Sequence, residues 1–388
     1  MSSIRRVITL VIVGGLFAHA SVAAEPFRYP EAKHGQGELR YINHVPVMIL
    51  AGTPEEIGKQ MGTLAKPAIK DAERLFNGYI EGKGMTKLFP VLLKAASTLR
   101  GTFPPDHLAE MEAISKASGF SLDLLIAGHA LHDMLKLRGC SDIVVEPAKS
   151  ATGELIVGRN TDLPPVESLH EYSLVVVCRP KGKHAFAAVS FPGAVGFGAA
   201  MNDAGLCLGQ NEILSAGDGS IRYNPLGTPM ALAARRIIEE CKDVAEAEKL
   251  IREINWTTAN LFMIADRREG RVFEVTPKNV RVIKSSEAFC AATNHFRTPE
   301  LATFKANSYP SHANCWRMDK LDKLRAVKMM NVKDMAQALD DVNQGAYTIQ
   351  SQIFEPANLR GHFALGKAPS TKLPYREIEL AELLKTGE

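Results

Sequence analysis

This chain has few cysteines and a small net charge. It has six cysteines in 388 residues, none spaced as C-x-x-C, which is far below the density of a disulfide-scaffolded domain. We therefore expect most of them to be buried apolar side chains, although an even number leaves disulfides open in an exported protein. The 46 basic and 43 acidic residues give a formal net charge of +3. That balance gives no electrostatic reason to expect nucleic acid or an anionic membrane as a partner.

Several common catalytic and cofactor motifs are also missing. The sequence contains no G-x-S-x-G, no P-loop, no G-x-G-x-x-G in a strand-to-helix context and no internal repeat. His129, His132 and Asp133 would share one helix, but no further metal-ligating cluster lies nearby. We interpret them as packed or half-exposed side chains, and we expect no metal ion and no organic cofactor.

Residues 1–24 have the three-part pattern of a secretory signal. Arg5 and Arg6 form a short basic region, an apolar run follows as far as Phe17, and small residues end at Ala24. The apolar run is shorter than the roughly 20 residues that span a bilayer, which argues against a membrane anchor. We predict cleavage after Ala24 and export of a soluble chain to the periplasm. Loss of the two arginines would lower the formal charge from +3 to +1.

The remaining 364 residues, enough for one large or two smaller domains, change character at residue 140. Before that point the pattern is mostly helical. Thr-Pro-Glu-Glu at 53–56 has the residues of a capping box with proline in the first turn, and helices are predicted over 104–117 and 121–134. The stretch 39–50 is different, because it has the pattern of one or two strands.

After residue 140, blocks of short apolar strands alternate with pairs of helices. Strands are predicted over 142–145, 155–158, 173–178, 184–191, 196–201, 205–210, 259–265, 272–275, 280–283, 289–293, 348–354 and 361–365. Helices are predicted over 228–241, 243–254, 314–329 and 331–341. Consecutive strands separated by helical hairpins favour antiparallel sheets covered by helices over a doubly wound fold. The predicted fold class is therefore α+β, with two stacked sheets and helix layers outside them.

The pair Gly139-Cys140 contains the main candidate nucleophile. An ordinary thiol, with a pKa near ~8.5, is mostly protonated at neutral pH and needs a base. Cleavage between Gly139 and Cys140 would give Cys140 an α-amino group, with a pKa near ~7.7–8.0, that could accept the thiol proton. Gly139 suits that cleavage because, without a Cβ, it leaves its carbonyl open to the neighbouring thiol. Taken alone, however, a Gly-Cys pair is more often a buried structural cysteine.

The pentapeptide Gly-Arg-Asn-Thr-Asp at 158–162 strengthens the hypothesis. It ends a predicted strand that would return beside the strand that starts at Cys140. Arg159 would favour the thiolate, and Asp162 would accept a hydrogen bond from the freed ammonium. The alternative is an ordinary turn that contains Asn and Asp.

Together, the cysteine and the pentapeptide resemble the N-terminal-nucleophile (Ntn) hydrolases. The similarity is to the group of penicillin acyltransferases, C45 peptidases, choloylglycine hydrolases and penicillin V amidases, and it extends over 53–354. It implies a four-layer αββα sandwich of two antiparallel sheets, with Cys140 as nucleophile and with Arg159 and Asp162 lining the site. The helical segment before the cysteine resembles the acyltransferase and C45 branch, since the bile-salt amidases begin almost at the cysteine.

The same resemblance implies three further site residues. The stretch from Asn202 to Asn211 matches a family segment in which the backbone N–H at the Asn211 position serves the oxyanion. Asn294 matches an asparagine whose side chain donates to that oxyanion, and Arg317 matches an arginine that supports the charge network. Cys315 departs from the Ser-containing segment expected before that arginine. The alternative for Asn211 and Asn294 is that they only cap strand ends. The alternative for Arg317 is that it lies exposed on the surface of a helix.

The signal pattern and the resemblance together imply an exported, self-processing cysteine amidohydrolase. Residues 140–388 would form the catalytic chain, and the mostly helical residues 25–139 would stay bound to it after the cut. The substrate would be a small linear amide, cleaved through a thioester on Cys140. Acyl transfer from Cys140 to an amine is the alternative. We prefer hydrolysis because water is abundant in an exported compartment, whereas acyl-CoA is not expected there. A non-catalytic exported binding protein, with Cys140 internal and inert, is the alternative of another class.

Overall fold

A computed structural model describes residues 27–136, 139–164, 168–303 and 315–385. The predicted signal at 1–24 lies outside the described residues. Within these ranges, none of the helices combines the length and the apolar character needed to cross a bilayer.

The chain forms sixteen described strands and ten described α-helices. The strands are β1 (Ala32–His34), β2 (Gly37–Ile42), β3 (Val45–Gly52), β4 (Gly139–Val145), β5 (Ile156–Asp162), β6 (Leu174–Pro180), β7 (Phe186–Ser190), β8 (Ala199–Asn202), β9 (Cys207–Glu212), β10 (Asn260–Ala265), β11 (Gly270–Val275), β12 (Val280–Lys284), β13 (Phe289–Ala292), β14 (Thr348–Glu355), β15 (Arg360–Leu365) and β16 (Arg376–Glu379). The helices are α1 (Pro54–Leu64), α2 (Lys66–Gly82), α3 (Phe89–Ser97), α4 (Pro105–Ser118), α5 (Leu122–Leu135), α6 (Met230–Glu240), α7 (Val244–Glu253), α8 (Trp316–Lys323), α9 (Val332–Asp341) and α10 (Ala381–Leu384).

Helix α1 begins where the sequence predicts. Thr53 Oγ1 accepts a hydrogen bond from the Glu56 backbone at 3.3 Å, and the Glu56 carboxylate accepts one from the Thr53 backbone at 2.8 Å. This reciprocal capping box satisfies two backbone donors that the first turn would otherwise leave open. Gly119 ends α4 with a left-handed φ of +80°, a conformation that costs glycine little.

The strands form two sheets. One has ten strands in the order β1-β2-β3-β6-β7-β8-β9-β10-β11-β12, and the other has six in the order β13-β4-β5-β14-β15-β16. In both sheets the side chains alternate between the two faces, because successive residues of a strand point in opposite directions. In β3, for example, Val47 and Ile49 face the other sheet, whereas Met48 and Leu50 face the helices.

Three apolar clusters show that the molecule has four layers. One cluster joins the ten-stranded sheet to helices that include α1, α4 and α6. A second fills the space between the sheets, and the third joins the six-stranded sheet to α8 and α9. The predicted α+β fold of two stacked sheets with helices outside is therefore confirmed.

One pair of strands corrects the prediction of purely antiparallel sheets. β3 and β6 are parallel, with Val47 opposite Val175. Parallel neighbours need a long crossover connection, and here helices α1 to α5 and strands β4 and β5 lie between them. Strands from before and after residue 139 consequently share one sheet.

Several predicted boundaries were wrong. The strand predicted over 155–158 does not end at Gly158 but continues to Asp162, because β4 and β14 pair with it on both sides. The strands predicted over 142–145 and 196–201 begin instead at Gly139 and Ala199. The helix predicted over 314–329 is shorter and ends at Lys323, where a 3₁₀ turn at Leu324–Ala326 follows. Strands β1 and β16 and helices α3 and α10 were not predicted.

Candidate active site

The candidate nucleophile lies at the start of β4. Cys140 is buried, and its side chain points into the space between the two sheets together with those of Asp142 and Val144. Gly139, one residue earlier, lies opposite Asp162 in the neighbouring strand. A Cβ at residue 139 would overlap the Gln344 side-chain amide and lie 3.2 Å from Asp162 Cβ, so Gln344 would have to move for any other residue to fit here.

Arg159 is the centre of a hydrogen-bond network around the thiol. Its Nη2 lies 3.0 Å from Cys140 Sγ and 2.5 Å from the Gln210 backbone oxygen. Its Nη1 donates to both carboxylate oxygens of Asp142, at 2.8 and 2.9 Å, and to Asn211 Oδ1 at 2.7 Å. One guanidinium thus contacts the thiol, the carboxylate two residues after it, and strand β9 of the other sheet.

The charge of Arg159 is secure despite its burial. Burial acts to lower the pKa of the guanidinium, but the Asp142 carboxylate and the Cys140 sulfur outweigh it and raise that pKa. A fixed positive charge 3.0 Å from Sγ favours the thiolate over the thiol. This is the role that the sequence predicts for Arg159.

Asn294 holds the backbone nitrogen of Cys140. Its Oδ1 accepts a hydrogen bond from Cys140 N at 2.8 Å and another from Arg317 Nη2 at 3.0 Å. Its Nδ2 donates to the Glu212 backbone oxygen at 2.9 Å. In the intact chain, therefore, Asn294 presents its oxygen to Cys140. The expected oxyanion donor, Nδ2, is directed at Glu212 instead, because two donors converge on Oδ1 and fix the orientation of the amide.

Arg317 lies at this site and not on the protein surface. Its Nη1 is 2.5 Å from the Cys140 backbone oxygen and 3.2 Å from Ser141 Oγ, and the side chain is buried. The same nitrogen is 3.8 Å from a carboxylate oxygen of Asp162. Helix α8 begins with Trp316, so Arg317 belongs to its first turn and points back onto the start of β4.

Asp162 and Asn211 have roles that differ in part from the expected ones. Asp162 accepts hydrogen bonds from the side chains of Gln344 and, at 2.5 Å, Thr348. These contacts fix its carboxylate opposite Gly139, next to the bond that would be cut. Asn211 contacts Arg159 through its side-chain oxygen and donates to the Thr293 backbone oxygen at 2.9 Å. The sequence predicts a role for the Asn211 backbone, whereas these contacts give its side chain a role in positioning Arg159.

Gly209 allows the two sheets to approach each other at the site. A Cβ at residue 209 would overlap the Asp142 carboxylate and lie 3.0 Å from Arg159 Nη1. Only a residue without a side chain lets the buried pair formed by Asp142 and Arg159 reach β9.

Seven positions were predicted from the sequence for cleavage and catalysis, and the structure brings them together around the start of β4. Sequence reasoning missed Asp142, Gln344 and Thr348. Asp142 could have been found, because it lies two residues after Cys140 on a strand and so shares its face. The other two had no local signal, since they reach the site only through the pairing of β14 with β5.

A second cysteine lies close to the site. Cys315 Sγ is 3.4 Å from Thr293 Oγ1, which is 3.0 Å from His295 Nδ1. Burial acts to raise the pKa of the Cys315 thiol, but the hydrogen bond from His295 and the charge of Arg317 outweigh it and lower that pKa to about 6. Cys315 thus links the residues on either side of Asn294 to the helix that carries Arg317.

The groups that could ligate a metal have other partners. Asp106, His107 and Glu239 lie close together, but the Lys183 ammonium donates to both carboxylates. His129, considered in the sequence, accepts hydrogen bonds at Nε2 from two backbone N–H groups, at 3.0 and 3.1 Å. Its other ring nitrogen contacts the Leu125 backbone oxygen at 2.7 Å, so His129 is a packed structural histidine.

Comparison with protein families gives a match over most of the region that holds the site. A family described as acyl-coenzyme A:6-aminopenicillanic acid acyl-transferase matches residues 149–356, more than half of the 388-residue chain. An uncharacterized protein of Archaeoglobus fulgidus is 22% identical over 367 residues, which cover 80% of this chain. The chain spans 60% of the length of that relative.

Comparison with solved structures gives partial matches to several enzymes. An N-acylethanolamine-hydrolyzing acid amidase ortholog from Caenorhabditis elegans is 18% identical, with a TM-score of 0.43, over 56% of this chain and 93% of that one. A mutant conjugated bile acid hydrolase from Clostridium perfringens is 12% identical, with a TM-score of 0.45, over 64% and 95%. Penicillin V acylase from Agrobacterium tumefaciens is 12% identical, with a TM-score of 0.44, over 64% and 89%.

Proposed function

Because the chain belongs to the acyl-coenzyme A:6-aminopenicillanic acid acyl-transferase family, we propose that it is an enzyme that breaks a linear amide C–N bond through a thioester on Cys140. One observation carries this proposal. The nitrogen, the sulfur and the carbonyl oxygen of Cys140 each contact a different polar side chain, those of Asn294, Arg159 and Arg317. Any buried backbone N–H and C=O need partners, but a structural cysteine needs only packing around its sulfur and not a buried cation 3.0 Å from it.

The first reaction in this proposal is cleavage of the chain by itself. Cys140 Sγ attacks the carbonyl carbon of Gly139, the C–N bond breaks, and Cys140 N takes up a proton to become an amine. The Gly139 acyl group is then a thioester on the sulfur, and water hydrolyses it to a carboxylate and restores the thiol. Arg317 and Asn294 support this step because they fix the atoms on the Cys140 side of the bond.

In the cleaved enzyme, the new amine of Cys140 acts as the base. It accepts the thiol proton, and the thiolate, stabilised by Arg159, attacks the amide carbonyl of the substrate. The resulting ammonium returns the proton to the leaving amine, which leaves a thioester on Cys140. Water then attacks this thioester and releases a carboxylic acid. In the intact chain Cys140 is fully buried, which supports the idea that this chain is the inactive precursor.

Acyl transfer is the second candidate function, and family membership favours it. In that reaction an incoming amine, instead of water, attacks the thioester on Cys140. The two reactions share every step up to the acyl-enzyme, so the residues that contact Cys140 serve either one. Export to the periplasm, proposed from residues 1–24, would favour hydrolysis because water is the abundant nucleophile there.

The test is a panel of amides offered to purified wild-type protein and to the Cys140→Ala variant. N-acyl amino acids, simple acyl amides, β-lactams with acylated side chains and small peptides are incubated with each, and both products are followed by mass spectrometry. The proposal predicts that wild type releases an acid and an amine from at least one class and that the variant releases none. A new amide formed when a second amine is added would identify the acyltransferase. Equal inactivity of both proteins on the whole panel would favour a binding protein with an inert Cys140.

A further inference from the structure

The chain just before the bond that would be cleaved is attached to the ten-stranded sheet by Lys136. This residue follows the last turn of α5 and has a left-handed φ of +50°, a conformation that lysine rarely adopts unless its surroundings hold it there. Its ammonium donates to the Ala259 backbone oxygen at 2.9 Å and to Asn260 Oδ1 at 3.2 Å. Both acceptors lie at the start of β10.

Strand β10, whose start accepts the hydrogen bonds of Lys136, is also connected to the hydrogen-bond network around the Cys140 thiol. Asn260 Oδ1 also accepts a hydrogen bond from Gln210 Nε2 at 3.3 Å, and the Gln210 backbone oxygen accepts one from Arg159. Asp133, one turn before Lys136, accepts from the Met230 backbone at 3.0 Å and from the Thr257 side chain. The end of α5 is therefore fixed to segments whose position relative to Cys140 is also fixed.

The attachment is close to the reacting atoms along the chain. Gly139 follows Lys136 by three residues, so their Cα atoms are at most about 11 Å apart. On the other side of the bond, Asn294 holds Cys140 N and Arg317 holds Cys140 O. The Gly139 carbonyl carbon is bonded to Cys140 N and therefore always lies near the sulfur, but attack by the thiol also requires that this carbonyl be oriented toward Sγ.

We propose that Lys136 is a positioning residue for self-cleavage, which fixes the chain three residues before Gly139 and so limits the orientations that the Gly139 carbonyl can take toward Cys140 Sγ. This inference rests on the self-cleavage proposed above. Lys136 takes no part in proton transfer or bond breaking. Lys136 has no role after cleavage, because the Cys140 thiol of the cleaved enzyme then attacks the amide of a separate substrate molecule.

The experiment follows cleavage of freshly synthesised full-length chain by intact mass over time. Lys136→Met removes the ammonium and keeps most of the apolar stem, whereas Lys136→Arg keeps a cation that can reach the same acceptors. Lys149→Met is the control, because the Lys149 ammonium likewise donates to a backbone oxygen, that of Arg325 at 2.8 Å, and Lys149 is buried whereas Lys136 is half-buried. It lies beyond the far end of β4, away from Gly139.

We expect Lys136→Met to slow cleavage about ten- to hundredfold, Lys136→Arg to restore most of the rate, and Lys149→Met to leave it within about twofold of wild type. Molecules of Lys136→Met that have been cleaved should match wild type in activity per active site, which a general loss of folding would not allow. If Lys136→Met fails to fold, Lys136→Gln, which keeps a neutral donor, should still be slowed more than Lys136→Arg.

Two results would overturn the inference. Cleavage of Lys136→Met at the wild-type rate, or equal slowing by Lys149→Met, would show that the attachment does not position the bond. In both cases self-cleavage itself would stand. A wild-type chain that never cleaves would instead contradict self-cleavage, and the role of Lys136 with it.

Discussion

The backbone nitrogen of Cys140 lies 2.8 Å from Oδ1 of Asn294. This is the atom that would become the amine of a new N-terminus, and it already has a hydrogen-bond acceptor in the intact chain. Arg317 donates to the same oxygen at 3.0 Å, so the acceptor is oriented by a second, charged donor. In the intact chain the site therefore already holds the atom that the proposed cleavage would turn into an amine.

Replacement of Asn294 by Leu should slow self-cleavage strongly. The buried Cys140 N–H and one Arg317 nitrogen would both lose the acceptor Oδ1, at a cost of about 1–3 kcal/mol for each group left without a partner. We expect the cleavage rate, followed by gel or intact mass, to fall by at least about tenfold.

Asn160→Leu is the matched control for this variant. Asn160 is equally buried and makes two side-chain hydrogen bonds, to the Leu339 backbone and to Ser351, on the helix-covered side of β5. It should lose comparable stability and still cleave. Equal slowing in both variants would argue that Asn294 acts only through the general stability of the fold.

Gly209→Ala should destabilise the protein where the two sheets meet. The added Cβ would overlap the Asp142 carboxylate, so either the sheets separate or the ion pair with Arg159 breaks. We expect a loss of about 3 kcal/mol or more in the free energy of unfolding, measured by denaturant titration. Gly128→Ala, in α5 with open space around its Cβ, should instead gain about 0.5–1 kcal/mol. A Gly209→Ala protein as stable as wild type would contradict the close packing at this point.

The sequence alone was sufficient to predict the layers and most of the site, and particular residues explain why. Thr53 and Gly119 carry local capping chemistry, and the nearly continuous apolar runs of strands such as β3 and β6 predict strands that are buried on both faces. Cys140, Arg159 and Asp162 lie on two consecutive strands joined by a short connection, so their proximity follows from hairpin pairing.

What could not be predicted depends on contacts between distant parts of the chain. The orientation of the Asn294 amide is set by Glu212 and Arg317, and neither lies near Asn294 in sequence. Gln344 reaches Asp162 only because β14 pairs with β5. The parallel pairing of β3 with β6 likewise follows from the path of a long crossover, which hydrophobic periodicity does not encode.

Arg159→Met should separate stability from catalysis when it is combined with a change at Asp142. The single variant leaves the Asp142 carboxylate buried without its cation, which should cost about 3–5 kcal/mol of stability. The double variant Arg159→Met/Asp142→Leu removes both charges and should recover most of that loss. Neither should cleave its chain or turn over amides at more than about a hundredth of the wild-type rate. Recovery of activity in the double variant would show that Arg159 serves only to neutralise Asp142.

Cys315 should make stability depend on pH. Its folded pKa of about 6 is lower than the ordinary thiol value of 9.0, so between these values the folded protein binds fewer protons than the unfolded chain. The stabilisation is therefore present above pH 9 and is lost as the pH falls through 6. The stability difference between wild type and Cys315→Ala should be larger at pH 9 than at pH 5 by up to about 4 kcal/mol, measured by denaturant titration.

Cys290→Ala is the control for the titration of Cys315. Burial raises the pKa of the Cys290 thiol to about 12, so this thiol stays protonated in the folded protein over the same range. The stability difference for Cys290→Ala should be nearly constant between pH 5 and 8. A difference for Cys315→Ala that is equally constant would contradict a Cys315 thiolate.

Self-cleavage at Gly139-Cys140 is tested most directly by the masses of purified wild-type and Cys140→Ala chains after the same incubation. The account predicts two fragments from wild type, the second with Cys140 as its first residue, and one uncut chain from the variant. A wild-type protein that remains a single chain while it hydrolyses amides would contradict the proposed origin of the base. Cleavage of both proteins at the same bond would show that the Cys140 thiol is not the nucleophile.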